Sequence, residues 1–151
     1  MIRSPDPASF DRVTDQLFIG SRIASPAAYE RLRKAGVKAC VDMKVEGADP
    51  WGFESFLWLP TVDHAPPSQV HLQMGIAFLR LCEQGGVPAF VHCMAGVGRS
   101  STLVLAYLLA FPLRASSPAA ALEFLSSRRP AVNPTSAQIA AAVEAGRAFS
   151  L

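Results

Sequence analysis

The chain has few cysteines, and they are not arranged for disulfides or metal binding. Its 151 residues include three cysteines, an odd number that is too small for a disulfide framework. Cys40, Cys82 and Cys93 also lack the paired CxxC spacing of a zinc site, so no metal is expected. Reduced thiols are typical of a reducing compartment, and the sequence therefore predicts a cytoplasmic protein.

Long apolar runs and dense basic runs are also missing. The longest apolar run, Leu103 to Leu113, is shorter than the roughly 20 residues that a membrane-spanning helix needs. It is expected to be a buried core helix, and no membrane association is expected. Residues 1–7 lack the apolar segment of a signal peptide. The net charge is +2 and no run of five basic residues occurs, so nucleic-acid binding is not expected.

What is present is enough apolar sequence for one folded domain. Half of the residues are hydrophobic, which allows a substantial core, and the length is typical of a single domain. Residues 1–9 are polar, carry two prolines and are expected to be a flexible lead-in. The folded domain is expected to occupy residues 10–151.

Predicted strands and helices alternate along this domain. Strands are predicted over residues 17–20, 37–43, 56–59 and 88–91, and helices over 26–35, 69–83, 101–110, 118–127 and 134–149. Within the second helix, the three-to-four spacing predicts a buried face of Val70, Met74, Ala77, Phe78 and Leu81. The aromatic residues beside the apolar runs are expected in the core, with lining of a cleft as the alternative: Trp51, Phe53 and Trp58. The alternation predicts an α/β fold: a single domain with a central, mostly parallel sheet of about four or five strands flanked by helices.

The segment from His92 to Ser100 carries the strongest chemical signal. It places Cys93 six positions before Arg99 with Gly96 and Gly98 between them, directly after an apolar strand and before a helix. Such loops lie where α/β folds bind ligands, at the carboxyl end of a strand and the N-terminus of a helix. The glycines let the backbone approach a phosphate closely. The sequence therefore predicts an anion-binding loop with a sulfur nucleophile at its floor.

Each side chain of this loop has an expected role in phosphate chemistry. The thiolate of Cys93 attacks phosphorus, and inward N–H groups, the helix N-terminus and the Arg99 charge favour that thiolate. Arg99 grips two phosphate oxygens with its planar guanidinium, a geometry that lysine lacks. The Ser100 hydroxyl stabilises the sulfur as it leaves, with a helix N-cap as the alternative role. His92 is expected to order the loop. The phosphate itself lies against the loop residues Met94, Ala95, Gly96, Val97, Gly98 and Arg99.

The pattern His92-Cys93-x-x-Gly96-x-x-Arg99-Ser100 resembles the signature of the cysteine-dependent protein phosphatases. It is most similar to that of the small atypical dual-specificity phosphatases. Weaker likenesses occur at residues 17–21, at 36–43, and at 129–134 followed by Gln138, so the resemblance extends from about residue 10 to the end. It implies the phosphatase fold, a cysteinyl-phosphate intermediate and no cofactor.

A general acid is also needed, because an alkoxide leaving group requires a proton. Asp63 lies between an apolar strand and a helix, thirty residues before Cys93, a placement that resembles that of the family's acid. Its alternative role is to start a turn or cap the next helix. Asp49 is the second candidate. Asp42 falls within a strand and is expected to accept hydrogen bonds inside the fold, and His64 is expected to be incidental.

Gln138 has two candidate roles. The spacing Thr135-x-x-Gln138 fits a capping box at the start of the last helix, and this is the expected role. The alternative, orienting the hydrolytic water, comes from a resemblance to a glutamine of larger tyrosine phosphatases.

The resemblance implies hydrolysis of phosphotyrosine, and of phosphoserine or phosphothreonine, in a phosphorylated protein or peptide. Met94, Ala95 and Val97 are apolar, which argues against phosphoinositides, since family members that act on these often carry lysines there. A monomer is expected, with phosphate or a similar oxyanion bound in the loop. The alternatives are a phosphatase for a non-protein phosphate ester, a phosphate-binding module without turnover, and sulfur transfer or arsenate reduction. Arsenate reduction requires Cys40 or Cys82 as a resolving thiol.

Overall fold

A computed structural model describes residues 9–111 and 115–149. One sheet contains the five strands β1 (Phe10–Thr14), β2 (Leu17–Gly20), β3 (Ala39–Lys44), β4 (Ser55–Thr61) and β5 (Ala89–His92). Their order across the sheet is β1-β2-β5-β3-β4. The last four strands of this order are parallel, and β1 pairs antiparallel with β2. The predicted α/β fold with a mostly parallel sheet is confirmed.

Five helices in the described residues cover the sheet: α1 (Pro26–Lys34), α2 (Gln69–Gln84), α3 (Arg99–Ala110), α4 (Pro118–Arg128) and α5 (Ser136–Ala148). The predicted helices agree with these bounds to within two residues. Ser25, Ser68, Ser117 and Thr135 each accept a backbone N–H at a helix start, which satisfies donors that the helix leaves free. None of these helices is long and apolar enough to cross a membrane.

The sheet separates two hydrophobic cores of different size. The larger core lies on the α3 side and includes Ile19, Val41, Val91 and Leu103. The smaller core lies on the other side, under α1, and contains Phe18, Cys40 and Phe90. β5 is the middle strand, so the loop that follows it starts from the most enclosed part of the sheet. This position keeps the loop backbone rigid.

Two boundaries of the sheet differ from the prediction. β1 was not predicted, and the expected lead-in over residues 1–9 lies outside the described residues except for Ser9. The third predicted strand, over residues 56–59, was expected to end before Pro60, but β4 continues through Pro60 to Thr61. β4 is an edge strand, and proline is tolerated there since its missing N–H need not belong to a ladder.

The predicted buried face of α2 is also wrong. Val70, Met74 and Leu81 are at least half exposed, whereas the buried residues are Leu72, Gly75, Ile76, Leu79 and Cys82. Leu72, Ile76 and Leu79 are themselves spaced at i, i+4 and i+7, so the apolar spacing allows two faces on this helix. The buried face also carries Gly75, which packs closely on α3: a Cβ there would lie 2.5 Å from Leu103 Cδ1.

Two of the aromatic residues expected in the core reach the surface. Trp58 is 43% exposed, and its indole N–H donates to the Lys44 carbonyl at 2.9 Å. Trp51 is also exposed and stacks on Tyr29 with ring centroids 5.4 Å apart. Phe53 is half-buried and packs at the edge of the smaller core. An edge strand with one short helix on its side leaves these rings partly uncovered.

Candidate active site

The loop from Cys93 to Gly98 connects β5 to α3 and packs closely against neighbouring backbone. Gly96 has a φ of 72°, in the left-handed region that favours glycine. A Cβ at Gly96 would lie 2.6 Å from the Gly20 carbonyl carbon and 2.7 Å from Arg129 Nη2. The loop packs directly on the end of β2, and this position accepts no side chain.

The carbonyl oxygens of the loop all bond outward, to other parts of the protein. Backbone N–H groups donate to three of them: Arg22 to Met94 at 3.0 Å, Asn133 to Val97 at 2.9 Å, and Thr102 to Gly98 at 3.0 Å. The Arg129 guanidinium donates to the other two, Ala95 at 3.1 Å and Gly96 at 2.9 Å. A trans peptide directs its C=O and N–H in opposite directions. The peptide N–H groups of residues 95–99 therefore face the interior of the loop, where they form a cradle for an anion.

Cys93 lies at the floor of this cradle. The side chain is 3% exposed, and its Sγ is 3.3 Å from the hydroxyl of Ser100. Ser100 is not the helix N-cap: α3 begins at Arg99 after Gly98, which has no capping side chain. The capping alternative for Ser100 is therefore wrong. The hydroxyl instead contacts the sulfur, which is the geometry that its expected chemical role requires.

Arg99 is buried at the start of α3 and has partners on three sides. Its Nη1 donates to Glu46 Oε1 at 2.6 Å and to the Thr61 carbonyl at 2.8 Å, and Nη2 donates to Glu46 Oε2 at 3.2 Å. Nε lies 3.6 Å from Asp63 Oδ1 and has no hydrogen bond within the described residues. Burial opposes the charge, but the bond to Glu46 and the charges of Cys93 and Asp63 raise the pKa of Arg99 above its ordinary value. Arg99 therefore stays charged, with a buried donor still available to an oxyanion.

Glu46 is a site residue that the sequence did not identify. It lies in the loop after β3, and no motif connects it with Arg99 fifty-three positions away. The hydrogen bond from Arg99 lowers the pKa of the Glu46 carboxyl below its ordinary value, against a small opposing effect of burial. Glu46 is therefore an anion, and its ion pair with Arg99 fixes the orientation of the guanidinium.

A charge cluster around the buried Lys44 fixes the loop that presents Glu46. Lys44 Nζ lies 2.9 Å from Asp42 Oδ2 and 2.8 Å from Asp49 Oδ2, and it also donates to the Gly47 carbonyl. Burial disfavours this ammonium, yet its bonds to Asp49 and Asp42 raise the pKa of Lys44 overall. Asp42 accepts internal hydrogen bonds, as expected. Asp49, the second candidate for the general acid, is paired with Lys44 rather than with the Cys93 loop.

His92 lies beneath the loop, fully buried and stacked on Phe90. Its Nδ1 is 3.2 Å from the Cys93 carbonyl, and its Nε2 is 3.8 Å from Asp42 Oδ2. Burial lowers the pKa of His92 below its ordinary value of 6.5, although Asp42 opposes the shift. These contacts fit the expected role of ordering the loop.

We expect the free energy of unfolding to fall as the pH drops below about 6.5, because His92 is buried as the neutral imidazole. The unfolded chain then binds a proton that the folded chain does not, which costs up to about 1.4 kcal/mol per pH unit between the two pKa values. Urea unfolding at about pH 7.5 and pH 5.5 measures this slope, and His92→Gln should flatten it. An equal slope in the variant would contradict the assignment to His92.

Asp63 lies in a tight turn at the mouth of the site. The turn is closed by the Ala65 N–H, which donates to the Val62 carbonyl at 3.1 Å. Asp63 Oδ1 accepts the His64 N–H at 3.0 Å, and His64 has a φ of 66°, which is unusual outside glycine. The carboxyl is 58% exposed beside the buried Arg99. Asp63 does start a turn, and that turn brings its carboxyl to the loop.

Arg129 is a second residue whose role the sequence did not identify, although it lies in a segment that resembles the family. The guanidinium is buried, bonds to the carbonyls of Ala95 and Gly96, and pairs with Asp11 Oδ2 at 2.9 Å. It therefore holds the loop from outside. Gln138 forms the expected capping box with Thr135 at the start of α5.

Neither of the other two cysteines can reach Cys93. Cys40 belongs to the smaller core, on the opposite side of the sheet. Cys82 lies in α2, where its carbonyl accepts the Val87 N–H shortly before β5, whereas Cys93 follows that strand, so a four-residue strand about 13 Å long lies between them. Burial raises the pKa of both thiols. The arsenate-reduction alternative, which requires a resolving thiol, therefore loses its support.

A cysteine at the floor of an anion cradle, between a central parallel strand and a helix that begins with arginine, defines the class of cysteine-dependent phosphatases. The family model "Dual specificity phosphatase, catalytic domain" matches residues 17–147. The chain belongs to this family of dual-specificity phosphatases.

Curated relatives and solved structures agree on the family. Phosphatidylglycerophosphate phosphatase PTPMT2 of Arabidopsis thaliana is 31% identical over 82% of this chain. Dual specificity protein phosphatase 22 of Xenopus tropicalis is 29% identical over 66% of it. The chain spans only 56% and 47% of these two proteins.

Among solved structures, human DUSP28 superposes with a TM-score of 0.80 at 27% identity, covering 96% of both chains. PTPMT1 in complex with PI(5)P superposes with a TM-score of 0.79 at 25% identity, covering 91% of this chain and 94% of the other. The fold and family are therefore shared with phosphatases whose names indicate different substrates.

Proposed function

We propose that this protein hydrolyses phosphomonoesters through a cysteinyl-phosphate intermediate. The observation that carries the proposal is the loop itself, whose carbonyls bond to other parts of the protein and whose N–H groups are therefore directed to the interior of the loop, where Cys93 lies. Arg99 Nε adds a buried donor at the same place. Together these donors match the oxygens of a phosphoryl group and the charge that develops on them during transfer.

In the first step, the Cys93 thiolate attacks phosphorus in line with the leaving oxygen. The S–P bond forms as the P–O bond to the leaving group breaks, and Asp63 gives its proton to that oxygen. Arg99 and the loop N–H groups hold the three remaining phosphoryl oxygens. The loop and Arg99 supply the positive charge, so this mechanism has no step that needs a metal ion.

In the second step, water attacks phosphorus while Asp63, now ionised, accepts its proton. The P–O bond to water forms as the S–P bond breaks, and the electron pair returns to Cys93 sulfur. The Ser100 hydroxyl, 3.3 Å from that sulfur, stabilises the departing thiolate. Asp63 ends the cycle protonated and phosphate leaves.

We propose a phosphorylated protein or peptide as the substrate. The loop side chains Met94, Ala95 and Val97 are apolar, and the exposed Val45 and Val62, which adjoin Glu46 and Asp63 in the chain, add an apolar rim beside these two carboxylates. This rim suits the uncharged body of a phosphorylated side chain. Apart from Arg99, the loop contains no cationic side chain for further phosphates of a polyphosphorylated headgroup.

A phospholipid carrying a single phosphomonoester is the second candidate. It is supported by the Arabidopsis relative, named a phosphatidylglycerophosphate phosphatase, and by the structure of PTPMT1 with PI(5)P. The apolar rim is equally compatible with a lipid near its headgroup. The two candidates share the same chemistry and differ in what carries the phosphate.

A substrate panel in the presence of a chelator separates these candidates. We expect turnover of p-nitrophenyl phosphate without added metal, and a kcat/KM for phosphotyrosine peptides at least about tenfold above that for phosphatidylglycerophosphate vesicles. The reverse order would identify the phospholipid as the better substrate. If no ester were hydrolysed, the remaining interpretation would be a phosphate-binding module without turnover.

We propose that residues 10–151 act as one monomeric catalytic domain without a cofactor. The three free cysteines support a reducing compartment such as the cytoplasm.

A further inference from the structure

The turn that carries Asp63 is held at both of its ends by buried side chains. Before the turn, the Thr61 carbonyl accepts Arg99 Nη1 at 2.8 Å. After it, the Ala65 carbonyl accepts Gln138 Nε2 at 3.1 Å. Arg99 belongs to the phosphate loop, whereas Gln138 belongs to α5, seventy-three positions away from Ala65. Neither step of the phosphate chemistry requires this second attachment.

The amide of Gln138 uses both of its polar atoms. Oε1 accepts the Thr135 N–H at 2.9 Å, and Nε2 donates to Ala65. A flipped amide would place the NH₂ group against an N–H and the oxygen against a carbonyl, so the two partners determine its orientation. The side chain is 1% exposed. The capping box therefore uses only the Oε1 atom of this side chain, and Nε2 is bonded to the turn.

Gln138 also contacts the phosphate loop. A Cβ at Gly98 would lie 3.0 Å from Gln138 Oε1 and 3.2 Å from Nε2, so the amide lies directly over the Gly98 backbone. One buried side chain thus touches the last residue of the phosphate loop and bonds to the turn of the candidate acid. It is suitably placed to set the position of one relative to the other.

We propose that Gln138 is a positioning residue that holds the Asp63 turn over the Cys93 loop, an inference that rests on the function proposed above. A general acid works only within hydrogen-bond reach of the leaving oxygen, and small displacements of a catalytic group cost large factors in rate. Without the bond from Gln138, we expect the turn to shift, because His64 has a left-handed backbone conformation and the Asp63 carboxyl is exposed.

Three variants separate this role from helix capping. Gln138→Glu keeps an acceptor for the Thr135 N–H, but it removes the donor and places an oxygen against the Ala65 carbonyl. Gln138→Met removes the donor without adding charge, so an effect shared by both variants is due to the lost bond. Thr135→Ala is the matched control, since it removes the capping hydroxyl that accepts the Gln138 N–H and leaves the bond to Ala65.

The readout is the dependence of kcat/KM on the leaving group. For both Gln138 variants we expect about a tenfold loss on phenyl phosphate and less than about a threefold loss on p-nitrophenyl phosphate, whose leaving group needs little protonation. Thr135→Ala should keep the wild-type ratio of the two rates. Equal losses on both esters, or the same altered ratio in Thr135→Ala, would show that Gln138 is only a cap.

A second readout does not depend on turnover. Amide hydrogen exchange should become about tenfold faster at the Ala65 N–H, which closes the turn, in both Gln138 variants but not in Thr135→Ala. Unchanged exchange would overturn the inference. If the exchange changes while wild type hydrolyses no ester, the tether is real and the proposed function is wrong. If wild type turns over and neither readout changes, only the role of Gln138 is wrong.

Discussion

Replacing Cys93 with serine should reduce hydrolysis of p-nitrophenyl phosphate by at least about 10⁴-fold. A serine hydroxyl has no adjacent general base here, because His92 lies beneath the loop with its Nδ1 against the Cys93 carbonyl. The outward-bonded carbonyls and Arg99 do not depend on the sulfur, so the variant should still bind phosphate. Steady-state rates and phosphate competition measured on the same preparation test both expectations.

Cys82→Ser is the matched control for this substitution. It makes the same change at a buried thiol near the start of β5, distant from the loop, and should leave kcat within about twofold of wild type. Substantial turnover by Cys93→Ser would contradict the nucleophile assignment. An equal loss in both variants would indicate damage to the fold rather than to the site.

Asp63→Ala should lower kcat/KM on phenyl phosphate by about 10²- to 10³-fold, and on p-nitrophenyl phosphate by about tenfold or less. The difference arises because phenolate needs a proton to leave, whereas p-nitrophenolate leaves nearly unaided. The turn brings the Asp63 carboxyl to 3.6 Å from Arg99 Nε, and therefore beside the phosphoryl site. A series of aryl phosphates with different leaving groups measures the effect.

Asp49→Ala provides the comparison for this prediction. Asp49 was the other candidate acid, and its carboxylate pairs with Lys44. Its removal should slow all esters by a similar small factor, because it loosens the loop of Glu46 without removing a proton donor. If Asp49→Ala rather than Asp63→Ala showed the leaving-group dependence, the two assignments would be reversed.

The phosphate loop was predictable because its chemistry is local. Cys93, Arg99 and Ser100 lie within eight residues, and the strand before them and the helix after them place the loop by themselves. Asp63 was predictable as the general acid from its spacing to Cys93 and from the resemblance to the family. The alternation of strands and helices likewise predicted the four parallel strands of the sheet. It did not predict β1, a short edge strand that pairs antiparallel with β2.

Contacts between residues that are far apart in the sequence could not be predicted. Glu46 belongs to no motif and meets Arg99 across fifty-three positions, and the family-like segment at 129–134 does not reveal that Arg129 bonds to the loop. Gln138 was assigned to a capping box, which is correct, but its second bond depends on where the Asp63 turn falls in space. The predicted face of α2 is wrong because Leu72, Ile76 and Leu79 form a second apolar stripe, and the close packing of Gly75 on α3 favours that stripe.

In the proposed mechanism, Cys93 carries the phosphoryl group during turnover. Ser100→Ala should slow the departure of sulfur, so that the intermediate accumulates after mixing with p-nitrophenyl phosphate. Rapid acid quench followed by peptide mass spectrometry should then find one phosphoryl group on Cys93, together with a burst of p-nitrophenolate matching the enzyme concentration. Turnover with no phosphorylated Cys93, or with the phosphoryl group on another residue, would contradict the mechanism.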